Sequence, residues 1–351
     1  ATLSAFRSST DSELIRWEND YCQLEADITK HDTDIELKIH INPPKQKVLK
    51  VNGLKKSAFS AFLGNLLVVS FTVSDLLLLR GAPSDRRKWL DDAISQVYPA
   101  YRDRLNKYNR TKTQRNNLLK DFKGNISLSS SQESLLSVLD EQLAVSGSNI
   151  IHLRMKYLSE VQRKAVEKHK SISEGDESLK IVYNSTITGD FDAAESQLMK
   201  PDGIFEVFSG SFASKRVEEI ARAQTVIGPH RDDVSFRING KDAVSFASQG
   251  QQRTVVLALK LSEIDIISEI VGESPILLLD DVLAELDNRR QEFLLRSIND
   301  TTQTIITTTN LSAFSDEYLR DKKVYSIAAG CVYPADTSMQ GKVPALQEEL
   351  T

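Results

Sequence analysis

Asp280 and Asp281 close a run of four consecutive aliphatic residues, Ile276-Leu277-Leu278-Leu279. Such a run predicts a strand buried on both faces of a parallel sheet. The carboxyl ends of strands in open α/β sheets are where ligands bind. Two acids at that edge suit a nucleotide hydrolase. Asp280 is expected to hold Mg²⁺ through its water shell, because this ion takes few carboxylates and keeps several waters. Asp281 is the expected catalytic group, orienting or deprotonating the water that attacks a phosphate. A buried strand that ends in two solvated acids would show the same pattern.

Two neighbouring segments narrow the choice. Ser248-Gln249-Gly250-Gln251-Gln252 opens a predicted helix. The free N–H groups of a helix start, with a hydroxyl and a glycine beside them, make a ready site for an anion. Ser248 and Gln251 also fit the S-x-x-Q capping box, and a capping serine can face a phosphate at the same time. Ala284-Glu285-Leu286-Asp287 follows the paired carboxylates and could place an acid across a subunit boundary. Ser248, Gln249, Gly250, Gln251 and Asp287 are the candidate nucleotide-binding residues.

The elements that must position these groups follow from periodicity. Tyr21–Ile28 and Glu36–Ile41 alternate as antiparallel strands do, with turns at Asn42-Pro43-Pro44 and Val51-Asn52-Gly53. Leu66–Phe71 and Leu76–Leu79 read as buried strands. Helices open at Pro83 and Pro99, and Glu133–Lys170 carries apolar residues at helical spacing without a long heptad repeat. Lys168–Ser178 reads as a solvated loop. Val234–Ile238 is a strand turned by Asn239-Gly240. A helix over 249–271 stops at Gly272, and the strand at 276–279, a helix over 289–299 and a strand at 304–307 complete a parallel α/β unit. Three regions result: a β-rich 1–82, a mostly helical insertion over 83–222, and an α/β 223–351.

Taken together these blocks resemble the RecF family of ABC-class ATPases. Phe246–Thr254 with Leu257-Ala258-Leu259-Lys260-Leu261 is similar to its signature helix, Gly228-Pro229-His230-Arg231-Asp232-Asp233 to its G-P-H-R-D-D block, and Leu277–Asp287 to its L-L-L-D-D-V-x-x-E-L-D. Pro83–Asp91 and Gln114–Lys120 resemble further blocks, in order along nearly the whole chain. The resemblance implies an ABC-type ATPase head of mixed α/β fold with a helical insertion lobe. It also implies ATP and Mg²⁺ as cofactors and binding to gapped DNA at single–double strand junctions. The implied partners are RecO and RecR, with RecA loaded as the result. A head-to-tail homodimer would form, in which Ser248 and Gly250 of one subunit reach the γ-phosphate held by the other. A cytoplasmic location is expected.

The family's phosphate cradle, G-x-x-x-x-G-K-[ST], does not occur in these 351 residues. Gly53-Leu54-Lys55-Lys56-Ser57 lacks its first glycine and its spacing. In the family the cradle precedes the residues resembling Ala1–Arg7, so the chain is expected to start within or after the following helix. As written it is expected to bind ATP poorly and hydrolyse it hardly at all. Thr307-Thr308-Thr309 stands where other ABC proteins place a switch histidine, and no role is assigned to it.

A net charge of −5 gives no general attraction to nucleic acid. Between Tyr98 and Lys123, however, eight basic residues face two acids. Arg104, Lys107, Arg110, Lys112 and Arg115 are the expected DNA contacts, with Arg86 and Arg87 extending the patch; basic side chains on a helix neutralise phosphates without reading sequence. His230 and Arg231 either lie near a ligand or brace a turn. Cys22 and Cys331, the two cysteines, have no metal-ligand spacing. No apolar run is long enough to cross a bilayer. Other readings are a DNA- or RecR-binding scaffold without ATP control, and a transporter ATPase subunit, against which the basic helical insertion argues.

Overall fold

The computed structural model describes residues 10–334 apart from 31–32, 45–46, 123–128, 176, 195–197, 299–301, 312–313 and 329–330. Ala1–Arg7, Lys123 and Asn299 lie outside the described residues. Strands β1 (Cys22–Lys30), β2 (Thr33–Ile41), β3 (Val48–Val51) and β4 (Leu54–Lys56) form an antiparallel meander. Asn52 and Gly53 turn β3 into β4 with φ of 50° and 75°, the left-handed pair that a tight hairpin requires. The Gly53–Ser57 segment is therefore a hairpin and not a phosphate loop.

The functional core is a parallel sheet in the order β11-β10-β5, built from β5 (Val68–Thr72), β10 (Ile276–Asp280) and β11 (Thr304–Thr307). Its register sets Asp280 level with Thr72 on one side and Thr307 on the other. The expected strand at Leu76–Leu79 is absent. A capping box between Thr72 and Asp75 instead winds Val73–Leu77 into a 3₁₀ turn, because the chain must leave the sheet there.

Helices α1 (Pro83–Val97), α2 (Ala100–Asp121), α3 (Ser130–Ile172) and α4 (Pro201–Arg222) form most of the insertion. At 43 residues α3 is the longest. It continues into the segment read as a solvated loop, because His169 is fully buried and Lys168 pairs with Asp265 at 2.9 Å. Strands β6 (Leu179–Ser185) and β7 (Gly189–Asp192) are antiparallel partners in a second four-stranded sheet, β7-β6-β8-β9, with β8 (Asp233–Ile238) and β9 (Lys241–Asp242). That sheet crosses the expected division at 222/223.

A short helix α5 (Ala243–Phe246) leads to α6 (Gln249–Val271), which Gly272 ends at φ 80°. Val255–Leu259 is buried on every side of α6, the pattern of a helix enclosed by its neighbours. Helix α7 (Asn288–Ser297) follows β10, and a hairpin of β12 (Tyr325–Ala328) and β13 (Cys331–Pro334) lies last. No helix among the described residues is long and apolar enough to cross a membrane.

Candidate functional site

The parallel register brings three groups together at the carboxyl edge of the central sheet. Thr307 donates its hydroxyl to Asp280 Oδ1 at 2.8 Å. The Asp281 N–H points back at Thr307, 3.1 Å from its carbonyl oxygen and 3.2 Å from its hydroxyl. Asp281 sits at φ 54°, a left-handed conformation that non-glycine residues seldom hold and that costs roughly 1–3 kcal/mol where the surroundings impose it. Its Oδ1 is buried and has no hydrogen-bond partner. A strained acid with an unsatisfied oxygen at a sheet edge is a feature stability alone does not explain. Thr307, left without a role by sequence, positions both acids; parallel pairing beside Asp280 was the signal, and it becomes visible only with the register.

The second cluster assembles at the start of α6. Ser248 caps the helix, accepting from Gln251 N–H at 3.2 Å, while Gln251 Oε1 accepts from Ser248 N–H at 2.7 Å. Both Ser248 and Gln249 are exposed, so the cap leaves the serine hydroxyl hydrogen available. Gln251 also donates to Glu177 at 2.7 Å, fixing the helix start against the segment between α3 and β6 of the insertion. Gly250 O accepts from Arg290 Nη2 at 2.8 Å, and the same guanidinium reaches Thr254 Oγ1 at 2.7 Å. Arg290 pairs in turn with Asp287, which caps α7 through the Arg290 N–H at 3.0 Å. Burial opposes ionisation of Asp287, but the Arg290 N–H and guanidinium outweigh it and hold the carboxyl below its ordinary range. Arg253 makes a parallel tie to Glu285 at 2.8 Å. Sequence reading missed Arg253, Arg290 and Glu177, since their contacts with Glu285, Gly250 and Gln251 join segments 32, 40 and 74 residues apart and leave no local pattern.

The basic helix divides into two faces. Tyr101, Tyr108, Thr111, Arg115 and Leu119 are buried, at the three- and four-residue steps of a helix packed on one side. Arg104, Lys107 and Arg110 are exposed, and Arg87 and Lys112 are half-buried. Two expected DNA contacts are corrected. Arg115 is 0% exposed, donating to Asp140 at 2.6 Å, Glu219 at 2.5 Å and Thr225 at 2.9 Å. Arg86 is also buried; it pairs with both oxygens of Asp233 at 2.8 Å and caps Gly81 O at 2.7 Å. A fully desolvated cation is retained only with such partners, and neither arginine can reach a phosphate outside.

Tyr108 points inward against the Gly228-Pro229-His230 turn. Gly228 has φ 115°, and a Cβ there would lie 2.5 Å from Tyr108 Oη, so only glycine allows the approach. His230 Nε2 lies 3.2 Å from the Thr225 carbonyl, which can only accept, so Nε2 carries the proton. Nδ1 therefore accepts from Tyr108 O–H at 2.7 Å. Burial first, then the neighbouring Lys112, pushes the His230 pKa down to about 3. His230 is a neutral brace of the turn.

The chain is similar to known proteins. The chain is 41% identical over 332 residues to the DNA replication and repair protein RecF of Bacillus thuringiensis (strain Al Hakam), covering 95% of this chain and 86% of that protein. The Bacillus cereus (strain B4264) and Bacillus anthracis (strain CDC 684 / NRRL 3495) proteins of the same description match equally. The chain belongs to the RecF family.

Two solved RecF structures agree. The recombination mediator protein RecF-ATPrS in the RecFOR pathway superposes with a TM-score of 0.83 at 32% identity, over 96% of this chain and 86% of that one. The corresponding RecF-ATP structure gives 0.82 at 32%, over 95% and 84%. No family model matches the chain. The mixed α/β fold with antiparallel and parallel sheets is the RecF fold. In this family member the helix tip at Ser248 is tied to the segment that follows the acid pair by Arg253 and Arg290.

Proposed function

We propose that this RecF-family protein is an ATP-switched DNA-binding protein that engages gapped DNA at single–double strand junctions and, with RecR and RecO, assists RecA loading. The observation that carries it is the Asp280–Asp281–Thr307 cluster. Thr307 holds one oxygen of Asp280, and Asp281 keeps a buried oxygen unsatisfied in a strained backbone. This donor set fits a magnesium-bound nucleotide. Among the described residues no three His, Cys, Asp or Glu side chains converge, and Mg²⁺ needs only one or two carboxylates when phosphates and waters supply the rest. When bound, Mg²⁺ and ATP supply the electrophilic phosphoryl group and its neutralising charge.

The remaining work falls to this chain's own residues. Asp280 would hold the metal's waters, Thr307 keeping it oriented. Asp281 Oδ1 would accept a hydrogen bond from the attacking water and fix its direction. Ser248, Gln249, Gly250 and Gln251 would present hydroxyl and backbone N–H to the γ-phosphate bound in a partner subunit. Asp287, tied to Gly250 through Arg290, would report that contact to the acid pair's own segment. Arg104, Lys107 and Arg110, with Arg87 and Lys112, would contact the DNA backbone.

The test is binding of a gapped duplex with and without ATP and Mg²⁺, across about 50–300 mM salt, by the wild type and by Ser248→Arg and Asp281→Asn. With the family's G-x-x-x-x-G-K-[ST] segment joined ahead of these residues, ATP should tighten binding and promote dimers, and Ser248→Arg should abolish both responses while leaving basal binding; the 351 residues alone should respond weakly. Binding that never responds to ATP in any arm would replace the switch with a plain scaffold. No DNA binding at any salt would overturn the assignment.

A further inference from the structure

Arg87 on α1 and Lys112 on α2 line a cleft of about 320 Å³, together with Tyr108, Pro229 and His230. Arg231 follows His230 on the same turn, close enough to Lys112 for the two charges to repel. Asp91 and Asp92 also line the cleft, with their partners Arg154, Lys88 and Arg102, and every acid in or beside it is already engaged. Asp91 is held by Arg154 at 2.9 Å and by Tyr101, and Asp92 by Lys88 at 2.6 Å and Arg102 at 2.5 Å. Asp233 serves Arg86, and the buried Asp232 accepts from Tyr183 at 2.6 Å and Thr186 at 2.8 Å. The three cations instead bond neutral groups. Arg87 donates to the Asp232 carbonyl at 2.8 Å, Lys112 to Asn109 at 3.2 Å and Arg231 to Gln224 at 3.1 Å. His230 adds no charge, since its ring is locked neutral between Tyr108 and Thr225.

Arg87 and Lys112 line this cleft and bond only neutral groups, Arg231 stands beside them on the turn and lines a neighbouring cleft, and for Lys112 the cost of the repulsion is visible. Burial, then Arg231 and Arg87, lowers the affinity of Lys112 for its proton; burial, then Arg154, lowers that of Arg87. A bound anion relieves this repulsion, and a dianion relieves more of it than a monoanion. A backbone phosphodiester carries one charge and continues in both directions, which suits the exposed outer face at Arg104, Lys107 and Arg110. A terminal phosphomonoester carries roughly −1.5 to −2 at pH 7 and ends the chain, which suits a cleft.

We propose that this cleft binds the terminal phosphate of a nucleic-acid strand through Arg87, Lys112 and Arg231, so that the protein distinguishes a phosphorylated strand end from continuous backbone. The inference rests on the DNA-binding reading above, and it adds a recognition element to it. The hydrogen-bonded Tyr108–His230 pair lines the site.

The experiment compares gapped duplexes whose gap is bordered by a 5′-phosphate, a 3′-phosphate or hydroxyls only, by fluorescence anisotropy with the wild type, Arg231→Gln and Lys112→Met. Arg231 is exposed, so Arg231→Gln leaves the fold intact. The wild type should bind one phosphorylated end about tenfold more tightly than hydroxyl ends, as expected for added charge-assisted hydrogen bonds. Whichever end is preferred identifies the polarity of the bound strand. Both variants should lose that preference; Arg231→Gln should keep wild-type affinity for hydroxyl-ended DNA, and Lys112→Met, which also removes a backbone contact, should weaken binding of all three duplexes to the same degree. Equal affinity for all three duplexes, with DNA still bound, overturns the inference and leaves the DNA-binding reading standing. Variants that keep the preference overturn it equally, and failure to bind any duplex removes both.

Discussion

Replacing Arg115 distinguishes a buried scaffold cation from a DNA contact. Its guanidinium is fully enclosed, bonded to Asp140, Glu219 and Thr225, with its carbon 4.7 Å from the Phe212 ring centroid. In Arg115→Ala, Asp140 keeps Arg216 at 2.5 Å. Glu219 keeps only the Val226 N–H at 3.0 Å and is otherwise a buried charge without a counter-ion. Breaking a buried pair by removing one partner costs about 3–5 kcal/mol; the surviving Asp140–Arg216 pair argues for the lower half of that range. Urea unfolding followed by circular dichroism should show a lower midpoint and an unfolding free energy reduced by that amount. Arg115→Leu with Glu219→Gln, which removes both charges, should recover most of it. The variant should bind DNA with unchanged salt dependence at temperatures where it is folded. An Arg115→Ala protein of wild-type stability with weakened DNA binding would refute the reasoning, and with it the assignment of the inner face of α2 as core.

Four further outcomes are expected. Replacing Arg104, Lys107 and Arg110 together with Ala should change stability by less than about 1 kcal/mol, as exposed sites do, while flattening the salt dependence of duplex binding by up to ~0.9 in log–log slope for each phosphate no longer neutralised. His230 has its pKa depressed to about 3, so as pH falls the unfolded chain takes up the extra proton first. Stability should therefore be complete above about pH 6.5, the ordinary histidine value, and fall as pH drops toward 3, and His230→Gln should lose that slope in urea melts at pH 4.5 and 7.5. Asp281→Asn, which suits a left-handed backbone and removes a buried charge, should raise stability by roughly 0.5–1 kcal/mol while removing any ATP response in gapped-DNA binding. Asp287→Ala should lower stability by about 1 kcal/mol, the usual cost of a helix cap, and should loosen Arg290 from Gly250, seen as faster amide exchange at the start of α6.

Elements with a strong local signature were legible in the sequence. Helix α6 begins and ends where the Ser248 cap and Gly272 place it, and β11 spans Thr304–Thr307 as its pattern implied. The acid pair was legible because four aliphatic residues before two carboxylates leave few arrangements. The basic segment of α2 was not, because charge along a helix says nothing about which side packs. Arg115 was read as a surface residue since its partners Asp140 and Glu219 lie 25 and 104 residues away. Strand β6 went unread for the same reason, its pairing with β8 being nonlocal, and β7 with it, although the two strands form a short local hairpin. Lys168–Ser178 looked solvated by composition, yet burial of His169 and Ile172 keeps the helix wound.

The β7-β6-β8-β9 ladder stitches the insertion to the segment that runs, through α5, straight into Ser248. Pairing from Leu179 with Ile238 to Asn184 with Asp233 therefore makes the insertion and the helix tip move as one body at their junction. A lobe attached by a flexible tether could tilt on its target without consequence. Here, any tilt imposed on α1 and α2 by a ligand has a stiff lever to follow, and cutting the insertion out at 83 and 222 would strip β6 and β7 from their ladder and leave β8 with one short neighbour.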